Sequence, residues 1–357
     1  MRDNSNLLAT SKRYTSSATN LFLAGSDANM NQTLEFPHEI REVTEEEDLI
    51  VKKYYKNYIR KFLRVGSHGY FQPPGYKEHA STIYNLDVRT DDVWVISFSR
   101  SDTIQILTNI FIVFIKINDI SIIFLSPKLS YRYPTLESDK KKPSSKDHGY
   151  RATVNDFTNL HTLASPRYVK SHLPLSLLPP KLLDTAKVFY IARDPRDVIV
   201  SFFFMHKLFR YFDESVELQE FWELFKKDLV IHMPIFPHVK ESWEKRKHPN
   251  MMFLFYEEMQ KDLRLVIDKV CKFLGKDFSD EQKNKLVEYL NFENMKNRSA
   301  PKFKKTDDTD SEMQFLRKGK SGNWVNYFHS QELMKELDEY MERNLNNTDL
   351  RFPEVNK

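Results

Sequence analysis

The chain has 357 residues, 40% of them hydrophobic and 13% aromatic, enough apolar material for a sizeable core, so a wholly disordered polymer is excluded. Its 54 Lys+Arg against 50 Asp+Glu leave a net charge of +4, too small an excess for nucleic acid to be the main partner. A single cysteine, Cys271, excludes an intrachain disulfide and a cysteine-based metal site, as suits a reducing compartment, and the 8 glycines include none between Gly75 and Gly149, so that stretch holds no glycine-rich phosphate loop.

Residues 1–37 read as a polar, disordered tail without the apolar run of a secretory signal, and 38–350 as a single domain. Glu45–Leu63 carries apolar residues at helical spacing, with acids first and bases last, and predicts one helix. Val93–Phe98 predicts a strand and Ile104–Ile115 a helix close behind it. The apolar window Ile104–Leu125 is broken by Gln105, Asn109, Lys116, Asn118 and Asp119, so it is too polar to span a membrane. Leu136–Gly149 is a charged loop bearing Pro and Ser. Arg167–Ser171 and Lys187–Ala192 predict two more strands. Asp194-Pro195 then opens a helix, with Asp as N-cap, Pro at the first position and Asp197 in the first turn. Met251–Phe255 predicts a fourth strand, followed by an amphipathic helix over Leu263–Leu274 that stops at Gly275.

Strands alternating with helices predict an α/β fold, a central parallel sheet flanked by helices. Ligands of such sheets bind beyond the carboxyl ends of the strands. The residues there are Ser97–Thr103, His172, Arg193 and Tyr256-Glu257-Glu258. Near the C-terminus, Arg317-Lys318-Gly319-Lys320-Ser321-Gly322-Asn323-Trp324 joins adjacent cations to glycine, a pairing suited to an oxyanion. Neither of the familiar glycine-rich nucleotide loops, G-x-x-x-x-G-K-[ST] or G-x-G-x-x-G, occurs in the chain.

Four segments together resemble the cytosolic sulfotransferases. Pro166-Arg167-Tyr168-Val169-Lys170-Ser171-His172-Leu173-Pro174 is similar to the family's P-R-x-x-K-T-H-L-P, and Tyr190–Ser201 to its Y-x-A-R-x-x-x-D-V-x-V-S. Leu254–Met259 is similar to L-x-Y-E-D-M, and Arg317–Trp324 to R-K-G-x-x-G-D-W. The order agrees, and the likeness runs from about Asp91 to Phe328. The resemblance implies a P-loop-NTPase-like sulfotransferase fold for residues 38–350, a cytoplasmic transferase, and a nucleotide co-substrate, 3′-phosphoadenosine 5′-phosphosulfate. Sulfation of a small-molecule phenol or alcohol, or an amine, is the implied reaction, without a metal.

Carried over residue by residue, the resemblance makes His172 the general base, a role imidazole suits because its proton affinity lies near neutrality. It places Lys170 and Arg100 at the leaving oxygen, and Arg100, Ser101 and Thr103 around the 5′-phosphosulfate. Arg193, Ser201, Arg317, Lys318 and Gly319 match the positions that hold the 3′-phosphate; Tyr256 and Phe292 match those near the adenine. Lys170 lies two residues before His172, so on a strand both can point to one side.

The family's loop T-Y-P-K-S-G-T-T-W is altered here to Ser97-Phe98-Ser99-Arg100-Ser101-Asp102-Thr103-Ile104-Gln105. Asp102 puts a carboxylate where glycine would let backbone N–H groups cup an anion. The alternative reading is therefore a catalytically impaired pseudo-sulfotransferase that binds 3′-phosphoadenosine nucleotides. The family's dimerisation motif is also lost, with Val325, His329, Ser330 and Met334 at the aligned places, which predicts a monomer or a dimer through another surface. Neither nucleic acid nor membrane is an expected partner.

Overall fold

The computed structural model describes residues 33–55, 60–101, 157–209, 211–213, 215–291, 294 and 320–354. Residues 1–32 of the expected tail, the helix expected over Ile104–Ile115 and the loop Leu136–Gly149 lie outside them, whereas the last residues of that tail are described: the Leu34 N–H donates to Asn85 Oδ1 at 2.7 Å and the Phe36 ring meets Tyr84 edge-on at 5.5 Å. The described residues from Leu34 onward belong to one compact unit.

A small antiparallel sheet comes first: β1 (Ile40–Glu42), β2 (Leu63–Val65) and β3 (Tyr70–Gln72), in the order β1-β2-β3. Ile40 pairs with Val65 and Leu63 with Gln72. Between β1 and β2 stands α1 (Glu45–Tyr54), shorter than the sequence predicts. Its start is fixed by a capping box, in which Thr44 accepts from the Glu47 N–H and Glu47 accepts from the Thr44 N–H. Its end comes at Tyr55, whose backbone is extended, and Leu63 already belongs to β2. The apolar residues Phe62 and Leu63 that prolong the helical spacing are drawn instead into the sheet, where the Phe62 ring stacks on Phe71 at 4.7 Å.

After α2 (Tyr76–Tyr84) comes the parallel sheet, built from β4 (Val93–Ser97), β5 (Tyr168–Ser171), β6 (Lys187–Ala192) and β7 (Met251–Phe255) in the order β5-β4-β6-β7. The pairs β4–β5, β4–β6 and β6–β7 are all parallel, as predicted. Its two central strands, β4 and β6, are apolar on both faces. Trp94, Ile96, Val188 and Tyr190 enter one core; Val93, Val95, Phe189 and Ile191 enter the other. This is the alternation of a strand between two helical layers.

A buried ion pair sets the register at the sheet's amino end. Arg167 Nε donates to Asp92 Oδ1 at 2.7 Å and Nη2 to Oδ2 at 2.5 Å, while Nη2 also reaches the Asp87 carbonyl at 2.6 Å. Two helices begin or end where the sequence marks them, the one opened by Asp194-Pro195 and the one that stops at Gly275. α4 (Pro195–Leu208), which comes after the short α3 (Leu182–Thr185), is capped by Asp194 and begins at Pro195. α5 (Leu218–Lys226), α6 (Ile235–Glu244) and α7 (Tyr256–Lys261) precede α8 (Leu263–Leu274), which ends at Gly275 in the left-handed region, φ 62°. α9 (Asp280–Leu290) and α10 (Gln331–Leu345) complete the described α-helices.

Because β5 lies on one side of β4 and β6 on the other, the strand order reverses at β4. Doubly wound sheets bind ligands beyond the carboxyl end of the strand at which the order reverses, here β4.

Candidate active site at the carboxyl end of the parallel sheet

The segment that leaves β4 turns sharply. The Ser101 N–H donates to the Phe98 carbonyl at 3.2 Å, and Arg100 between them has φ 67°. A side chain in that left-handed region costs about 1–2 kcal/mol. The turn directs Arg100 inward, where it is 7% exposed and its Nε donates to Ser201 Oγ of α4 at 3.2 Å. Arg100 and Ser201 are thus brought together across 101 positions of sequence, and Ser101 is buried beside them.

Arg193, just past β6, is buried in the same corner. Its Nη1 donates to the Arg100 carbonyl at 3.3 Å and its Nη2 to the Lys320 carbonyl at 3.4 Å. Its guanidinium lies 4.5 Å over the ring of Tyr256, the first residue after β7. Arg100, Ser101, Arg193, Ser201 and Tyr256 therefore share one corner. Thr103, Phe292, Arg317, Lys318 and Gly319 lie outside the described residues, as do Asp102 and Gln105.

Asp197 pins the C-terminal motif to this corner, a role the sequence reading missed. Its carboxylate accepts from the Gly322 N–H at 2.7 Å and the Trp324 N–H at 3.0 Å, while Arg196 lies 4.7 Å over the Trp324 ring. Burial raises the Asp197 pKa, against the opposing pull of Arg193 and the two N–H groups. Below it, Glu257 Oε1 accepts from the Asp194 N–H at 3.0 Å, and Oε2 is buried without a partner. Burial pushes the Glu257 carboxyl up to about 7.

At the end of β5 the chemistry changes. His172 is partly buried, and its Nδ1 lies 2.9 Å from the Ser97 carbonyl. A carbonyl can only accept, so Nδ1 carries the proton and Nε2 is the basic nitrogen. Burial, with help from the Lys170 ammonium and His232, holds this imidazole well below the ordinary histidine range. It is neutral at pH 7. The Lys170 ammonium also helps to lower the pKa of His232.

Two further histidines, neither identified from sequence, surround His172. His238 of α6 donates from Nε2 to the His172 carbonyl at 2.9 Å. Its Nδ1 is then an acceptor, and the Tyr190 hydroxyl lies 2.7 Å from it. This chain fixes the backbone from which the His172 ring projects. The His232 ring lies 5.7 Å from the His172 ring, centroid to centroid. Short-range patterning holds no signal for either residue, since both meet His172 through turns far along the chain.

A sulfotransferase-domain family model matches residues 90–349. Sulfotransferase 1E1 of Bos taurus is 30% identical over 291 residues, covering 78% of this chain and 92% of its own. Among solved structures, retinol dehydratase in a complex with retinol and PAP is 36% identical, with a TM-score of 0.77 and coverage of 90% of this chain and 100% of its own. Retinol dehydratase with androsterone and the inactive cofactor PAP is 35% identical, with a TM-score of 0.78, covering 90% of this chain and 99% of its own.

Proposed function

Since the chain belongs to the cytosolic sulfotransferase family, we propose that it moves a sulfuryl group from 3′-phosphoadenosine 5′-phosphosulfate to a hydroxyl, or an amine, of a small molecule, with His172 as general base. The observation that carries this reading is the Nδ1 bond from His172 to the Ser97 carbonyl. It orients the ring and makes Nε2 the nitrogen that can take a proton. The co-substrate fits the other corner: two buried guanidinium groups suit its phosphates, and Tyr256 offers an aromatic face. When bound, it supplies the activated sulfuryl group.

The chain's own residues have distinct tasks. His172 Nε2 takes the acceptor's proton as the acceptor oxygen attacks sulfur. Lys170 and Arg100 stabilise the charge that collects on the leaving oxygen as its bond to sulfur breaks. Arg193 and Ser201, with Arg317, Lys318 and Gly319, hold the 3′-phosphate; Ser101 and Thr103 serve the 5′ side, and Tyr256 and Phe292 the adenine. The acceptor is a small molecule, and family membership points to the cytoplasm. Residues 38–350 form the transferase domain, acting as a monomer or as a dimer through a surface other than the family's.

Asp102 favours a second reading, a protein that binds the nucleotide without transfer. One assay separates the two. Purified chain is incubated with donor labelled in its sulfuryl group and a panel of phenols and alcohols, and calorimetry measures adenosine 3′,5′-bisphosphate (PAP) binding. Transfer with binding supports the enzyme. Binding without transfer supports the second reading, and the absence of both overturns the site.

A further inference from the structure

His232 carries two local costs next to the proposed base. Its backbone is left-handed, φ 73°, a region histidine enters less readily than glycine. Its side chain is 8% exposed, and Nδ1 is buried with no hydrogen-bond partner. A buried polar atom left without a partner loses the hydrogen bond that water would have given it. The turn is held in place regardless: the His232 N–H donates to the Phe71 carbonyl at 2.8 Å, and the Phe71 N–H donates to the Met233 carbonyl at 2.7 Å. Costs of this kind, fixed by the surrounding backbone, concentrate where a ligand completes the structure.

The two rings at 5.7 Å are tilted by 43°. A centroid separation of this size leaves room for one oxygen between the rings. We propose that His232 is a second imidazole of the acceptor site, whose Nδ1–H donates to the reacting oxygen of the acceptor while His172 takes that oxygen's proton. The inference rests on the transfer reading above and narrows it to hydroxyl acceptors. A hydroxyl oxygen has two lone pairs: one forms the bond to sulfur, and the other accepts from His232. Its proton passes to His172 Nε2, and the electron pair of the broken sulfur–oxygen bond leaves with the donor's phosphate. An amine nitrogen has a single lone pair, which the attack on sulfur consumes, so it leaves Nδ1–H unpartnered. Burial, reinforced by His238 and Lys170, pushes the His232 pKa down to about 3, so the ring is neutral throughout the working range and does not compete for the proton.

The test compares 1-naphthol with 1-naphthylamine as acceptors for the full chain, His232→Phe and His232→Asn. Asparagine accepts a positive φ and keeps a polar atom where Nδ1 stands. The ratio of kcat/KM for naphthol over naphthylamine should fall at least tenfold in His232→Phe and recover partly in His232→Asn. Affinity for the bisphosphate should stay constant, which reports an intact fold and donor corner. A ratio unchanged in both variants overturns the proposal. A second readout needs neither turnover nor a variant. Nitrogen NMR of the histidine rings, with the chain saturated by the bisphosphate, should show the His232 Nδ1 signal moving as 1-naphthol is titrated. A fixed signal at saturating naphthol overturns the role of His232. A moving signal without transfer from labelled donor supports it and overturns the transfer reading instead.

Discussion

The two corners of the candidate site use opposite electrostatic devices. At the β5 end stand His172, His232 and His238, imidazoles that burial keeps neutral. At the β6 end stand Arg100 and Arg193, whose charge survives burial because a guanidinium cannot be neutralised in this pH range. The first corner is suited to exchange a proton. The second is suited to hold fixed negative charge. Their boundary is narrow: Ser97 bonds to His172, and Arg100, three residues on, bonds to Ser201. The last residue of β4 and the turn after it therefore serve the two corners in succession, with the left-handed Arg100 in that turn.

If this division is right, damage to one corner should leave the other working. The largest effect is expected for His172→Ala. Loss of the proton acceptor should lower the rate of transfer by roughly 100-fold to 10,000-fold. Bisphosphate affinity, measured by calorimetry, should remain within about twofold of the parent. A joint loss of rate and affinity would show that the corners are one device. Next in size is Arg193→Ala, which removes a charge-assisted contact. Bisphosphate binding should weaken by roughly 2–3 kcal/mol. An unchanged binding isotherm would remove Arg193 from the phosphate site.

The cationic corner was the more legible in sequence. Arg193 and Ser201 fall in a short motif that straddles a strand end and a helix start, so local order alone places them near each other. The parallel strands were legible for a similar reason. Each is a compact apolar run with a polar stop, and Lys187–Ala192 and Met251–Phe255 match their observed limits. The antiparallel sheet was not. Its strands have three residues each, too few to establish an alternation, and Leu63 sits in register with a helical pattern. His232 and His238 were hidden for a different reason. What matters at His232 is a positive φ and an unmet nitrogen, and at His238 a bond to a carbonyl 66 positions away. Both are products of tertiary turns. Asp197 was visible as a first-turn acid, but its bonds to Gly322 and Trp324 depend on a return of the chain from 125 positions downstream.

A third perturbation concerns the sequence that continues from the shared turn. Asp102 follows the buried Ser101, in a loop whose family counterpart has glycine. If it faces the proposed donor site, its carboxylate opposes the donor's negative charge and competes for the N–H groups that would bind it. Asp102→Gly should raise donor affinity and transfer by at least tenfold, about 1.4 kcal/mol. The affinity for the bisphosphate, whose 3′-phosphate contacts are proposed at Arg193, should rise less. Equal donor affinity and turnover in parent and variant would place Asp102 away from the donor and remove the motive for the nucleotide-binding alternative.

The smallest effect sharpens the contrast through pH. Burial lowers the pKa of His172, His232 and His238, and of His206 nearby, so the unfolded chain binds more protons than the folded one below pH 6.5. The imidazole corner therefore loses stability as pH falls from about 6.5 toward about 4. Glu257, under the cationic corner, has the opposite sign. Its carboxyl is raised from 4.5 to about 7, so between those values the folded chain binds the extra proton. Stability from this group is present at low pH and is lost as pH rises to about 7. Glu257→Gln keeps an oxygen for the Asp194 N–H and removes the titration. The ceiling is about 1.4 kcal/mol for each pH unit in the window, and relaxation around the carboxyl reduces it. We expect the variant to gain roughly 1 kcal/mol over the parent between pH 5 and pH 8, read from urea unfolding at both values. His206→Phe, at the imidazole side, should act in the other direction by flattening the loss below pH 6.5. Parallel pH profiles for Glu257→Gln and the parent would mean that Glu257 titrates normally, and the opposition of signs between the corners would not hold.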